Sequence, residues 1–269
     1  MRIPFTKAHG AKNDFLLTWE NEAPRENRSA AAIAICDRHT GIGADGWYLV
    51  SPPSRQARFD ASIHLYNSDG SEAELSGNGT RCAGAFLIDS GIVRESVRIQ
   101  TGAGPKELRL VGRSGVAFQF EMEMGVPACG PGHLRYALAV EDIVRDTTIV
   151  NVGNPQCAVF VDNFDFDWRS TGAAIEGHSM FPNRTNVSFV RRLDEHSIEV
   201  LFWERGAGET MSSGTGSTGA AAAAILRGSV KSPVRVLTPA GALEIRWDSQ
   251  IYLTGPAEIV GGGEFYWQD

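Results

Sequence analysis

Residues 72–88, EAELSGNGTRCAGAFLI, recur in altered form at residues 209–225, ETMSSGTGSTGAAAAAI. Aligned without a gap at an offset of 137 residues (213 minus 76), the copies match at Glu72/Glu209, Ser76/Ser213, Gly77/Gly214, Gly79/Gly216, Ala83/Ala220 and Ile88/Ile225. Each copy reads as a glycine-rich turn followed by a helix, about Gly79–Ser90 and Gly216–Arg227, closed by Gly91 or Gly228. Helices as apolar as AGAFLI and GAAAAAIL belong inside a domain rather than on its surface. The offset is about half of the 269 residues. A duplicated domain is the simplest account: an α+β chain of two pseudo-symmetric, β-rich halves, each wrapped around a central helix.

Working outward, apolar and polar residues alternate as in half-buried strands at Phe59–Tyr66 (FDASIHLY), Val116–Glu123 (VAFQFEME), Ile198–Glu204 (IEVLFWE) and Val234–Thr238 (VRVLT). Ser29–Arg38 reads as a further helix with Ser29 as its cap. The first half should end near the Gly112–Gly115 turn and the second near Gly255-Pro256. With 42% hydrophobic and 21% charged residues, disordered and fibrous classes are excluded. Lys and Arg total 25 against 32 Asp and Glu, a balance that argues against nucleic acid as the ligand. The amino terminus lacks signal- or transit-peptide character, and no stretch reaches the ~18 apolar residues of a membrane span. Cys36, Cys82, Cys129 and Cys157 form no C-x-x-C pair and fit neither a zinc site nor a disulfide framework. The expectation is reduced thiols in a cytoplasmic protein, with no metal.

A helix amino terminus offers unpaired N–H groups and partial positive charge, and so binds anions. Glycines at 77, 79, 214 and 216 allow close approach to that backbone, and each turn adds one hydroxyl, Ser76 or Ser213. If an approximate twofold brought the turns together, a small carboxylate or phosphate would sit between two helix ends. Equivalent groups on opposite sides of one carbon are what a stereo-inverting proton transfer requires, with N–H groups stabilising the enediolate-like charge.

In FTKAHGAKNDF, DRHTGIGADG, YNSDGSEAELSGNGTRCAG, NVGNPQC, FPNRTNVSF and ERGAGETMSSGTGSTGAA, the sequence resembles the diaminopimelate epimerases over nearly its whole length. The resemblance implies that family's fold of two similar domains. Its last residues return to the first half, giving 1–114 plus 257–269 and 115–256. It also implies a cofactor-independent inversion of one centre of LL/meso-diaminopimelate, an amino acid on the way to lysine and cell-wall peptide. Dimers are common in the family, although no motif here specifies a homodimer. Carried over by position, Asn13, Asn67, Asn154, Asn186 and Arg205 match residues that bind the distal amino-acid end. Gly77, Asn78, Gly214 and Thr215 match the cradle of the reacting carboxylate, and Glu204 the carboxylate that supports one base. Arg suits a carboxylate through its fork, and Asn offers donor and acceptor to a zwitterion.

The family's two catalytic bases are cysteines; the matching positions here are Ser76 and Ser213, and Gln156 stands where the family has a histidine. A thiol has a reference pKa of ~8.5, and a serine hydroxyl is a far weaker acid. Glu204 survives beside Ser213 and can itself serve as base, directly or through the hydroxyl. Three readings stay open: an epimerase working with hydroxyls or Glu204; a thiol-independent isomerase of another amino-acid-like substrate, similar to phenazine-pathway relatives; and an inactive ligand-binding paralogue. Cys82 and Cys157 read as small buried hydrophobes. Gly214–Gly219 spells G-x-G-x-x-G, but a polar stretch separates it from the preceding strand and no βαβ alternation surrounds it, so a dinucleotide is set aside. Glu72 and Glu209 are expected to accept loop N–H groups. No histidine lies in a metal-spaced cluster.

Overall fold

The computed structural model describes residues 1–53, 58–140 and 142–268. Two compact units divide the chain, Met1–Met122 with Gly255–Asp269, and Glu123–Thr254.

In the first unit, β1 (Arg2–Gly10) and β2 (Asn13–Trp19) form an antiparallel pair, and α1 (Arg28–Cys36) leads to β3 (Gly46–Ser51), which lies parallel to β2. Then β4 (Ala61–Asn67) pairs antiparallel with β3, and the short β5 (Glu72–Ala73) with β4. After α2 (Gly77–Asp89), β6 (Ser96–Thr101) runs parallel to β4 and continues through β7 (Gly104–Ser114) into β8 (Ala117–Gly125). The second unit repeats this order. Strands β9 (Tyr136–Val140), β10 (Ile143–Asn151) and β11 (Pro155–Phe160) form a meander; after α3 (Trp168–Glu176), β12 (Asn186–Arg192) lies parallel to β11. Next, β13 (Ser197–Glu204) pairs antiparallel with β12, and β14 (Gly208–Thr210) with β13. Past α4 (Gly214–Leu226), β15 (Val234–Thr238) is parallel to β13 and leads into β16 (Gly241–Trp247); β17 (Ile251–Tyr266) returns the chain to the first unit. The fold is an α+β roll made twice.

The central helices are buried because their sequences have no polar face to show. Every residue of α2 from Asn78 to Ile88 is buried, as is every residue of α4 from Gly216 to Ala224. The run Ala220–Ala224 combines the strongest helix propensity with side chains small enough for strands to close on all sides. Around α2 pack Phe15, Leu17, Tyr48, Val50, Ile99, Leu108, Phe118 and Phe120; around α4 pack Val190, Val200, Phe202, Val236, Leu243 and Leu253. Close packing fixes two glycines. A Cβ at Gly79 would collide with the Tyr48 ring and hydroxyl, and one at Gly216 would stand 2.8 Å from Phe202 Cδ1.

Three sequence expectations change in detail. Both central helices begin two residues earlier than the apolar pattern implies, because Ser76 and Ser213 cap them through side-chain oxygens. Ser29 does not cap α1: Asn27 holds that position with φ 55°, while Ser29 Oγ donates to Gly70 O at 2.7 Å. The Gly112–Gly115 turn is the tip of the β7–β8 hairpin, where Ser114 pairs with Ala117, and the units divide within β8, after Met122. No helix among the described residues is long and apolar enough to cross a membrane.

Candidate active site

In the first unit, the candidate residues gather where β2 and β3 begin, β4 ends and α2 starts. Ser76 Oγ accepts the Gly79 N–H at 3.1 Å, and its carbonyl accepts the Thr80 hydroxyl at 2.8 Å. Asn78 is buried; its Nδ2 donates to Asn13 Oδ1 at 3.4 Å, and Asn13 Nδ2 donates to Asp45 Oδ2 at 2.6 Å. A Cβ at Gly77 would meet nothing within 4 Å, leaving that backbone open to a ligand. Asn67 closes β4 opposite Gly46, its amide donating to Ser71 Oγ at 3.0 Å. Beneath the turn lies the fully buried Tyr48, whose phenol burial pushes up from its ordinary value, with Ser76 and Thr80 acting the other way.

The second unit builds the same frame from different side chains. Ser213, buried, accepts the Gly216 N–H at 3.0 Å. Asn154 Nδ2 donates to Thr215 Oγ1 at 3.3 Å and Asn154 Oδ1 accepts from Gln156 Nε2 at 2.8 Å. The Asn154–Thr215 contact is the counterpart of Asn13–Asn78, an asparagine at or just before a strand start touching the second residue of the helix. Asn186, at the start of β12, donates to Pro155 O at 3.0 Å and accepts the Arg205 N–H at 3.1 Å. Glu204 ends β13 as Asn67 ends β4. Burial raises its carboxyl above the ordinary carboxylate value, with the Ser213 and Thr210 hydroxyls acting the other way. A raised, half-buried carboxyl beside a hydroxyl at a helix amino terminus is an arrangement suited to proton transfer.

The remaining thiols are unsuited to that task. Cys82 and Cys157 are fully buried, and burial pushes both up to about 12. Glu209 and Glu72 do not accept loop N–H groups as the repeat implied. The Glu209 carboxylate accepts from Arg169 Nε and Nη2 at 2.6 and 2.9 Å, and Glu72 faces His64 at 3.2 Å. A forked guanidinium or an imidazole within reach outcompetes a neutral amide donor.

Sequence reading missed three residues. Glu176, buried at the end of α3, accepts the Gly206 N–H at 2.7 Å and the Trp203 indole at 2.8 Å and pairs with Arg184 at 2.8 Å, so it fixes the turn that carries Arg205. Nothing near it in the sequence announces this, since Trp203 and Gly206 lie 27 and 30 residues away. Arg81 is fully buried with no carboxylate partner among the described residues; it donates to Pro256 O at 3.0 Å, Gly77 O at 3.4 Å and Asn78 Oδ1 at 2.5 Å. A lone charge inside GTRCAGAFLI was a readable signal for it. Asp45 lay within a quoted motif, but its contact with Asn13 crosses the fold. Among the described residues, no cluster of three His, Cys, Asp or Glu side chains is placed to hold a metal ion.

Comparison with known proteins gives consistent matches. The sequence model of the family described as diaminopimelate epimerase matches residues 5–138 and 148–260. The chain is 39% identical over 278 residues to a diaminopimelate epimerase of Pelotomaculum thermopropionicum, covering 97% of this chain and 98% of that protein. It is 37% identical over 275 residues to one of Acetivibrio thermocellus, covering 97% of each. Among solved structures, a hydroxyproline epimerase from Agrobacterium vitis with bound trans-4-hydroxy-L-proline superposes with a TM-score of 0.73 at 15% identity, covering 100% of this chain and 93% of that one. A phenazine biosynthesis protein of the PhzF family from Bacillus anthracis gives 0.70 at 16%, covering 98% and 99%. At such identities the structures share the fold.

Proposed function

The chain belongs to the diaminopimelate epimerase family, and from that premise we propose that it interconverts LL- and meso-diaminopimelate without a cofactor, in the cytoplasm. The observation that carries this reading is the duplicated frame, a serine-capped helix start with an asparagine partner, made in each unit and supplied with a carboxyl at Glu204. In the reaction, one face of the α-carbon loses its proton to a base while the C–H electron pair passes into the carboxylate as an enediolate. A protonated group at the other face then returns a proton to the carbon, and the inverted C–H bond forms. One turn serves each face. Glu204, acting directly or through Ser213, is the base of one; Ser76 is the hydroxyl of the other.

The N–H groups at the starts of α2 and α4 hold the reacting carboxylate and the charge that develops on it, with Gly77, Asn78, Gly214 and Thr215 as the cradle. Asn13, Asn67, Asn154, Asn186 and Arg205 hold the distal amino-acid end, where the Arg fork matches a carboxylate. The test is conversion of LL- to meso-diaminopimelate, followed by chiral separation together with α-proton exchange in deuterated water. Interconversion with deuterium at the inverted carbon is expected. Binding without exchange overturns the reading and leaves a ligand-binding paralogue.

A further inference from the structure

We propose that Asp45 and Arg81 are positioning residues that fix the amide polarity of Asn13 and Asn78, so that both asparagines turn an N–H donor, and not a carbonyl, to a ligand at the Ser76 turn and favour a carboxylate over an ammonium. The proposal rests on the assignment of Asn13 and Asn78 to substrate made above. A guanidinium has donors and no acceptor, and a carboxylate the reverse. Arg81 Nη2 meets Asn78 Oδ1 at 2.5 Å, so the other edge of that amide, Nδ2, faces Asn13 Oδ1 at 3.4 Å. Asn13 must then turn its own Nδ2 to Asp45 Oδ2, at 2.6 Å. Every bond in this chain runs from Arg81 toward Asp45. Reversing either amide would set donor against donor at one contact and acceptor against acceptor at the next. Asp45 is itself held by Arg38, which donates to Oδ1 at 2.8 Å, and by the Asp14 N–H, which donates to Oδ2 at 3.1 Å. Each asparagine retains one N–H outside the chain.

The counterpart in the second unit lacks such ends. Gln156, Asn154 and Thr215 each carry both a donor and an acceptor, so that chain can run either way, and Gln156 Oε1 is buried with no partner among the described residues. Only the first unit fixes what its turn offers.

Asp45→Asn tests this, because Arg38 claims the single remaining oxygen and turns the new amide N–H2 onto the Asn13 donor. The expected result is a KM for diaminopimelate raised about tenfold with kcat within about twofold. Adding Arg38→Ala frees the Asn oxygen to face Asn13 again. The double variant should return to within about threefold of Arg38→Ala alone. An unchanged KM in Asp45→Asn, or no recovery in the double variant, overturns the proposal. If the wild-type protein does not turn over diaminopimelate, that failure belongs to the functional reading, and the ligand-free protein decides this one. Side-chain amide protons of Asn13, followed by NMR hydrogen exchange, should be protected in wild type and double variant and exposed in Asp45→Asn. Equal protection in all three overturns it.

Discussion

The Ser76 turn and the Ser213 turn share a backbone and differ in chemistry. Both cap a buried helix through a serine oxygen, at 3.1 and 3.0 Å from the glycine N–H three residues on. Both set an asparagine against the second helical residue. Yet the last residue of the neighbouring strand is Asn67 in one unit and Glu204 in the other, and under the turn the first unit places Tyr48 where the β12–β13 pairing of the second places Ser188, opposite Phe202. On the proposed function, the two turns keep the N–H groups that hold an anion and differ in the groups that move a proton. The one carboxyl assigned to that task, Glu204, lies at the end of β13, outside the repeated motif.

The comparison breaks most visibly at Glu204. Glu204→Gln should lower α-proton exchange by about 100-fold or more. The rising limb of the wild-type pH–rate profile should lie above the ordinary carboxylate range, because burial raises that carboxyl, and the variant should lose it. The sign for stability follows. A carboxyl whose folded pKa is raised favours folding while it is protonated, and that contribution is lost as pH rises through the folded value. Glu204→Gln should therefore flatten the decline in stability over that window, read by denaturant titration at several pH values.

Moving the carboxyl sharpens the contrast. Asn67→Glu gives the first unit the group that the second has. Because Asn67 is also assigned to the distal end, KM should rise, but exchange at the Ser76 face at saturating substrate should rise about tenfold. An unchanged saturated rate would show that the strand ends are not equivalent. Thiol chemistry gives a qualitative check. With Cys82 and Cys157 buried and protonated, iodoacetamide should leave wild-type activity intact, whereas Ser76→Cys or Ser213→Cys should become sensitive. Stability shifts come last. Gly79→Ala, forced against Tyr48, should cost about 1–3 kcal/mol, and Ser76→Ala or Ser213→Ala about 1 kcal/mol each through the lost cap, measured by chemical denaturation.

Much of this was legible in the sequence, for a physical reason. Two helices so largely apolar can only be interior. Glycine at 79 and 216, expected to give a ligand access to the backbone, instead makes room for the Tyr48 and Phe202 rings pressed against the helix, a contact between distant residues that the sequence does not show. Ser76 and Ser213 stood out by position, but their capping role was hidden because Gly77 and Gly214 look like turn rather than first helical turn. Long-range polar contacts were unreadable. Glu176 reaches Gly206 across 30 residues with no local trace in the sequence, and Arg81 reaches Pro256 across 175, a partner that its lone charge in an apolar helix does not name. Glu209 was misjudged for the same reason, its partner Arg169 lying 40 residues away.

The central claim, one turn for each face with Glu204 serving only one, is tested most directly by deuterium incorporation without inversion, measured separately from LL- and meso-diaminopimelate in wild type, Glu204→Gln and Ser76→Ala. The account predicts that Glu204→Gln suppresses exchange from one epimer far more than from the other, and that Ser76→Ala shows the opposite preference. Equal suppression of both epimers by each variant would contradict it.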